Sequence, residues 1–275
     1  MRNRLRQLLQ GTRHSTKKQL IQLRSKVAQQ FPMAILVYHR IAEDAANDCT
    51  LSYRSFVKQL DWLGNRYEFV SIEEIQERMR RGKNPKPCVH ITFDDGYQEN
   101  CEQAIPYLVQ NRVPCTYFVT SNSVLSGVPH YHSHNKSKTF TPNTMEEIKD
   151  MAAQGIEIGA HSQTHSDLGA ISDTDNLRRE IVTATDELKK ALGRPIRYFA
   201  FPYGQFRNLS SEAFDMAFHY GFDAAFSAYG GLNFPNQHSF HLQRIPVDED
   251  MKRMNTMLNK LDRERFPYAP PGQVN

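Results

Sequence analysis

The sequence predicts an α/β protein in which about seven parallel strands close into a barrel with helices outside. Short apolar runs alternate with capped amphipathic helices along most of the 275 residues, and this alternation is typical of a parallel sheet. The number of strand and helix units favours closure into a barrel. No glycine-rich phosphate loop follows the first strand, which counts against the alternative, an open doubly wound sheet.

The first half of the chain contains four predicted strands and the helices between them. The predicted strands are residues 33–38, 89–93, 115–119 and 156–160. Helices are predicted to begin at the capping residues Ser52, Ser71 and Thr144. A helix over residues 99–110 is expected to bend or restart at Pro106. Residues 121–142 are expected to be irregular.

The second half repeats the pattern. A long helix over residues 173–192 is closed by Gly193, and a helix over 210–220 is closed by Gly221, since glycine readily ends a helix. Further predicted strands are residues 197–201, 223–227 and 240–247.

Charge is distributed unevenly along the chain. The formal net charge is +4, but residues 1–30 hold eight Lys or Arg and no Asp or Glu. We therefore predict a basic N-terminal arm over residues 1–30, a catalytic domain over 31–265 and a tail over 266–275. The arm is expected to lie on an anionic membrane, to cover the domain or to be solvated. Nucleic-acid binding is not expected, because the body is mildly acidic.

The cysteines and the apolar segments indicate the compartment. The four cysteines have no CxxC spacing and are too few for a disulfide framework at this length, so we expect reduced thiols. No apolar signal segment follows the basic start, and no run is long enough to span a membrane. We expect a cytoplasmic protein, in peripheral contact with the inner face of the membrane if the arm binds lipid.

Two acidic residues end the strand over residues 89–93. Asp94 and Asp95 are followed by Gly96, and Asp-Asp-Gly taken alone is also good turn chemistry. Neighbouring carboxylates repel, which drives one of them to bind a proton or a cation unless positive charge is close. The pair therefore indicates a functional site at the end of this strand.

A second pair of polar residues follows the strand over 156–160. His161 and His165 are four residues apart, a spacing that suits a divalent metal. In a β/α barrel the C-terminal ends of the strands converge on one mouth. One carboxylate with two histidines would leave coordination positions open, as in a catalytic metal site.

These motifs carry a family resemblance. Residues 92–96 (TFDDG), 161–165 (HSQTH) and 201–204 (FPYG) resemble, in this order, the first three motifs of the polysaccharide deacetylases, the carbohydrate esterase family 4 or NodB-homology domain. The likeness spans about residues 33–247. It implies a distorted (β/α) barrel and a divalent metal, usually zinc. The implied roles are metal binding by Asp95, His161 and His165, general base for Asp94, and oxyanion donor for the backbone of Tyr203.

Two departures from the family pattern affect the predicted site. Many members carry an arginine three positions before the motif-three tyrosine, where this chain has Ala200. Arg244 could replace it, or could be an ordinary surface or structural arginine. The late Leu-x-His motif of the general acid is also missing, because His241 has no Leu-x before it.

His39 is our candidate for the general acid. It follows the first predicted strand, which in a closed barrel lies beside the last. The stretch 36–39 also resembles the N-terminal histidine motif of rearranged deacetylases that act on poly-N-acetylglucosamine. The alternative is a histidine that only caps the strand end.

The histidine tract over residues 130–134 is a further candidate site. His130, His132 and His134 alternate along a polar loop. We favour a substrate-facing or solvated loop over a second metal site.

The sequence therefore predicts a metal-dependent hydrolase, most simply zinc-dependent. It would remove the N-acetyl or another N-acyl group from an amino sugar in a polysaccharide, oligosaccharide or lipid-linked precursor. An O-acetyl esterase or a deacylase of a non-sugar amide would use the same chemistry. A catalytically silent carbohydrate-binding or scaffold domain is the alternative from another class, suggested by Ala200.

Overall fold

The computed structural model describes residues 29–44, 47, 49–132, 135–261 and 264–271. The arm predicted for residues 1–30 lies outside this part of the chain except for its last two residues. Ser133 and His134 of the histidine tract and the last four residues of the predicted tail also lie outside it.

Parallel strands form the centre of the described molecule. The strands are β1 (Met33–Tyr38), β2 (Arg40–Ile41), β3 (Thr50–Leu51), β4 (Glu68–Phe69), β5 (Cys88–Phe93), β6 (Cys115–Val119), β7 (His130–His132), β8 (Asn135–Phe140), β9 (Glu157–Ala160), β10 (Tyr198–Ala200), β11 (Ala224–Ser227), β12 (His241–Gln243) and β13 (Ile245–Pro246). The main sheet has the order β12-β11-β10-β9-β6-β5-β1-β13, and β4 adds to β5.

The two ends of this sheet are consecutive in the chain. β12 pairs with β11 and β13 pairs with β1, both in parallel, and only Arg244 separates β12 from β13. The predicted strand over residues 240–247 is therefore one stretch with a break, and it joins the two edges into a nearly closed barrel of eight strands. This arrangement confirms the predicted parallel barrel.

The helices of the described part alternate with the strands, and the last helix follows β13. They are α1 (Tyr53–Gly64), α2 (Ile72–Arg80), α3 (Ala104–Gln110), α4 (Ser121–Ser126), α5 (Met145–Ala153), α6 (Thr174–Arg178), α7 (Ala184–Leu192), α8 (Ser211–Tyr220) and α9 (Met251–Leu258). Ser52 caps α1, and Thr144 forms a complete capping box with Glu147 at α5. Gly193 and Gly221 end their helices with φ of +72° and +99°, as their positions predicted.

The structure differs from the sequence prediction in two segments. Residues 121–142 are not irregular: α4 is followed by the antiparallel β7–β8 hairpin. The amides of Ser121 and Asn122 donate to the carbonyls of Ser162 and Gln163, so distant contacts help to order this segment. The predicted helix over 173–192 is interrupted by a π-helical turn, Arg179–Thr183.

Apolar side chains fill both sides of the barrel wall. The larger cluster lies between strands and helices, and a second cluster fills the interior. α2 closes the N-terminal end of the barrel, where Gln76 Nε2 donates to the carbonyls of Asp223 (2.8 Å) and Ser239 (3.1 Å). These carbonyls immediately precede β11 and the region of β12, so the opposite, C-terminal end is the open mouth.

The described part of the predicted tail packs against the barrel. The Tyr268 ring stacks on Phe214 with centroids 4.6 Å apart, and the Phe266 amide donates to the Tyr229 hydroxyl at 3.0 Å. The predicted boundary at residue 265 therefore falls inside a packed segment. Among the described residues, we find no helix that combines the length and the apolar character needed to cross a membrane.

Candidate active site

Alternation along the strands brings polar side chains to the inside of the barrel mouth. Successive side chains of a strand point to opposite faces, and the interior cluster shows which positions point inward. On β12, for example, Leu242 is in the interior cluster and Arg244 is the next inward position. The same alternation carries His39, Asp94 and His161 inward beyond the ends of β1, β5 and β9.

Asp95 reaches the mouth by a different route. Strict alternation would direct it away from Asp94, but its backbone has a φ of +75°, which is uncommon outside glycine. Asp95 Oδ1 lies 3.4 Å from His161 Nε2 and 3.3 Å from His165 Nε2. The three side chains each offer a ligand atom within 4.8 Å of the others.

The His161 ring is held in one tautomer. Its Nδ1 is 2.8 Å from the backbone carbonyl of Ala200, and a carbonyl only accepts, so Nδ1 carries the proton. In the neutral form of this ring, Nε2 has a lone pair on the side of Asp95. This is the usual support for a metal-binding histidine.

These three residues fit a metal ion. Asp95 Oδ1 is buried and has no hydrogen-bond partner among the described residues, a costly condition unless something else binds this oxygen. Burial alone would raise the pKa of Asp95, but His165 and His161 outweigh burial and hold this pKa well below its usual range. Two imidazoles and one carboxylate suit zinc.

Asp94 is paired with a fully buried arginine. Arg244 has no exposed surface, and its two terminal nitrogens donate to the two Asp94 oxygens at 2.6 and 2.7 Å. Burial would raise the pKa of Asp94, but the charge of Arg244 and then that of His161 hold it below its ordinary value. The guanidinium also lies over the rings of Phe118 and Phe226.

The structure thus distinguishes the two alternatives left open for Arg244. Arg244 pairs with Asp94, the carboxylate that an arginine at position 200 contacts in many family members. Ala200 is buried in the barrel interior, and its carbonyl supports His161. Arg244 approaches Asp94 from the break between β12 and β13, where its amide donates to the Ser227 carbonyl at 3.1 Å.

His39 lies at the same mouth, directly after β1. It is half-buried, and its carbonyl accepts a hydrogen bond from Asn100 Nδ2 at 2.7 Å. Burial lowers the pKa of His39, and the negative charges of Asp95 and Asp94 raise it. Arg244 and His161 lower it further, so the pKa of His39 lies below its ordinary value. The ring is therefore close enough to Asp94, Asp95 and Arg244 to interact with their charges.

His241 lies on the other side of the barrel wall. It packs against the Phe214 ring, with centroids 4.8 Å apart, and its Nε2 is 2.9 Å from Ser227 Oγ. Burial and then Arg265 place its pKa well below the ordinary value. The late histidine does not face Asp94, in agreement with the missing Leu-x-His motif.

Tyr203 forms part of the rim. Its side chain is 46% exposed, and its ring lies 4.7 Å from that of His165. Its backbone has a φ of +60°, and its amide donates to no acceptor in the described part of the chain. Gly204 follows at +58°, where a Cβ would lie 2.6 Å from the Ala228 nitrogen, so this turn requires glycine next to Tyr203.

A comparison with known families identifies the chain. The family model for polysaccharide deacetylases matches residues 81–221, just over half of the sequence. The chain belongs to the polysaccharide deacetylase family. The family resemblance inferred from the motifs is thereby confirmed.

Individual relatives are similar over most of this deacetylase-family chain. YxkH of Bacillus subtilis is 25% identical over 221 residues, which cover 80% of this chain and 72% of that protein. The poly-β-1,6-N-acetyl-D-glucosamine N-deacetylase of Staphylococcus aureus strain MRSA252 is 23% identical over 223 residues, covering 78% and 73%.

Solved structures of other deacetylases share the fold. The Streptococcus pyogenes deacetylase PplD in complex with acetate has a TM-score of 0.69 and 22% identity, and the match covers 83% of this chain and 98% of that one. IcaB from Ammonifex degensii has a TM-score of 0.67 and 24% identity, covering 83% and 97%. These likenesses confirm the predicted barrel.

Sequence reasoning missed two residues, Tyr97 and Asn100, that hydrogen-bond to residues of the site. The buried Tyr97 hydroxyl hydrogen-bonds to Asp95, and burial followed by the Asp95 charge raises the pKa of Tyr97. Asn100 holds the His39 carbonyl and also accepts from the Ile41 amide at 2.9 Å. Both residues lie just after the TFDDG motif, but no local pattern shows where their side chains point.

Proposed function

We propose that this member of the polysaccharide deacetylase family is a metal-dependent hydrolase of N-acetyl groups on amino sugars. One observation carries the proposal: a metal-compatible trio, Asp95, His161 and His165, lies beside an arginine-paired carboxylate, Asp94, in one open barrel mouth. Hydrolysis of an amide needs a polarised carbonyl, an activated water and a base. The described residues supply groups for each requirement.

A zinc ion held by Asp95, His161 and His165 would polarise the carbonyl and acidify the attacking water. Asp94 acts as the general base. Because Arg244 keeps the pKa of Asp94 low, this carboxylate is ionised and able to accept a proton at neutral pH. The bidentate contact also fixes the orientation of Asp94.

Two further groups complete the reaction. The free amide of Tyr203 donates a hydrogen bond to the oxygen that gains negative charge as water adds to the carbonyl. His39 protonates the departing amine. Burial lowers the pKa of His39, and Asp95 and Asp94 oppose this shift without cancelling it, so the imidazole must gain its proton during turnover before it can act as the general acid.

The proposed substrate is a glycan that contains an N-acetylated amino sugar such as N-acetylglucosamine. The name of the S. aureus relative supports this choice. The contact between Arg244 and Asp94 supports an active enzyme over a silent binding domain, because it restores the partner that Ala200 cannot provide.

The first test measures metal content and acetate release together. The wild-type protein should bind about one zinc per chain and release acetate from N-acetylated glucosamine oligosaccharides. Asp95→Asn and the His161→Ala, His165→Ala double variant should lose most of the metal. Asp94→Asn should keep the metal but lower kcat about a hundredfold or more.

Other outcomes would redirect the assignment. Full metal content in the double histidine variant would refute the metal site, and near-normal kcat in metal-loaded Asp94→Asn would refute the base. Acetate release from O-acetylated sugars alone would identify an esterase. Glu212→Gln is the control: Glu212 is exposed to solvent, and its substitution should alter neither metal content nor kcat.

We also propose that the basic arm binds the inner face of an anionic membrane in a cytoplasmic protein. The support is the eight positive charges of residues 1–30, each worth about 1 kcal/mol near such a surface. Removing residues 1–30 should abolish salt-sensitive sedimentation with phosphatidylserine vesicles and leave kcat on a soluble oligosaccharide unchanged. Equal sedimentation of both proteins would leave only a solvated arm.

A further inference from the structure

The loop between the two metal-binding histidines has an unusual backbone. Ser162 and His165 both have positive φ, of +62° and +59°, and such conformations cost about 1–3 kcal/mol each unless their surroundings stabilise them. Ser162 Oγ accepts from the His165 amide at 3.0 Å. That bond alone closes the loop but does not attach it to the rest of the barrel.

A buried carboxylate outside the loop supplies an attachment in addition to the two backbone bonds from α4 to the Ser162 and Gln163 carbonyls. Glu180 is only 8% exposed. Its Oε2 accepts from the amides of Gln163 and Thr164, both at 3.0 Å. Its Oε1 accepts from Thr164 Oγ1 at 2.6 Å and from Ser166 Oγ at 3.3 Å.

All four donors belong to residues that lie between the histidines or directly after His165. Both Glu180 oxygens are therefore occupied by the loop, and Glu180 is not in the trio of metal-ligand atoms. It comes from the π-helical turn Arg179–Thr183, a kind of turn that is common at functional sites. Hydrogen bonds to a charged acceptor are about twice as strong as neutral ones.

We propose that Glu180 is a positioning residue that sets the place and orientation of His165 in the metal site. His161 follows β9 directly and Asp95 is the second residue after β5, so both are held close to the strands of the barrel. His165 follows four residues of loop after β9. The start of α4 holds the first part of that loop through the Ser162 and Gln163 carbonyls, and Glu180 holds the part next to His165 through Thr164 and Ser166. The inference rests on the metal centre of the proposed function and adds a residue that touches neither metal nor substrate.

The experiment measures zinc affinity apart from catalysis. Metal-free protein is titrated with Zn²⁺ against a chromophoric chelator, and the visible spectrum of the Co²⁺-substituted protein reports the coordination geometry. We compare wild type with Glu180→Ala, Glu180→Gln, Asp95→Ala and Gln76→Ala. Gln76→Ala is the matched control, because Gln76 is also a buried helix residue whose side chain hydrogen-bonds to other elements, but at the opposite end of the barrel.

Glu180→Ala should raise the Kd for zinc about 10- to 100-fold, the usual range for groups that orient a metal ligand, and should change the Co²⁺ spectrum. Glu180→Gln should raise the Kd about threefold or more, because an amide keeps the shape but loses the charge. Gln76→Ala should destabilise the metal-free protein to urea while its Kd stays within about twofold of wild type.

The outcomes separate this inference from the metal centre itself. Wild-type Kd and Co²⁺ spectrum in folded Glu180→Ala would overturn the role of Glu180, whereas wild-type binding in Asp95→Ala would overturn the metal centre. If Glu180→Ala does not fold, Glu180→Gln decides alone: a Kd within twofold of wild type rejects the proposal. An equal rise of Kd in Gln76→Ala would also reject it, since the effect would then reflect general destabilisation.

Discussion

His90 and Asp94 point into the same barrel from the same strand, about 13 Å apart along it, yet their surroundings differ. His90 is completely satisfied: its Nδ1 lies 2.7 Å from the Val70 carbonyl and its Nε2 lies 2.9 Å from Thr116 Oγ1. Around Asp94, the buried atoms Asp95 Oδ1 and Thr120 Oγ1 have no hydrogen-bond partner among the described residues.

The backbone differs in the same way. Of the seven left-handed residues other than glycine in the described part of the chain, four lie at the mouth: Asp95, Ser162, His165 and Tyr203. The strand β5 around His90 is regular. Buried polar groups that hydrogen-bond to one another stabilise one structure, whereas unpaired buried groups beside left-handed backbone indicate a candidate ligand site. The comparison teaches that burial of a histidine or an aspartate does not by itself indicate function.

The largest expected effect comes from removing the arginine at the mouth. Arg244→Ala leaves Asp94 buried without its partner, so we expect a loss of about 3–5 kcal/mol in the free energy of unfolding and a drop in kcat of about a hundredfold or more. Urea denaturation and acetate release measure the two effects.

A second-site change sharpens this test. Arg244→Ala combined with Ala200→Arg returns an arginine to the position where many family members carry it. Partial recovery of kcat would show that Asp94 needs a guanidinium from either strand. Wild-type kcat in Arg244→Ala alone would remove Arg244 from the mechanism.

The next effect concerns His39. His39→Ala should lower kcat on an amide substrate about a hundredfold while zinc content remains unchanged. The loss should be smaller on an activated ester, because that leaving group needs less protonation. Equal losses on both substrates, or greater damage from His241→Ala, would place the general acid elsewhere.

The smallest expected effect on activity concerns the satisfied histidine, His90, which should affect stability alone. Burial lowers the pKa of His90 to about 4, against about 6.5 in an unfolded chain. The unfolded state therefore binds the extra proton, so stability is complete above pH 6.5 and falls as the pH decreases toward 4. The expected loss from this group is about 3 kcal/mol.

Urea denaturation between pH 7 and 4 measures this loss. His90→Gln should be less stable at pH 7 but should lose less stability on acidification than wild type, with unchanged kcat at pH 7. His219→Gln, at an exposed position, should keep the wild-type pH dependence. Parallel pH profiles for wild type and His90→Gln would show that His90 does not carry this linkage.

The sequence predicted most of the strands because they depend on local patterns, and the motifs named Asp95, His161 and His165, which the structure brings together. Apolar runs that end in Asp94 or His161 identify strand, strand end and mouth together. The inward direction of the Asp95 side chain could not be predicted. It depends on a left-handed backbone at this residue, and an aspartate in the sequence does not indicate that conformation. Arg244 could have been assigned by alternation from Leu242, but only once the strand register was known.

Residues that support the site from other elements were beyond sequence reasoning. Glu180 is one of several acids on a predicted surface helix, and its burial depends on where that helix meets the histidine loop. The helix over residues 121–126 was missed for a similar reason, since its first amides are satisfied by the loop after β9.

The break between β12 and β13 makes activity depend on the completion of the chain. A fragment limited to residues 81–221, the stretch matched by the family model, carries all three motifs but neither His39 nor Arg244. During synthesis, Asp94 is made about 150 residues before the arginine that pairs with it. Turnover would therefore begin only after the last strand docks between β11 and β1, so acetate release reports that the barrel has closed.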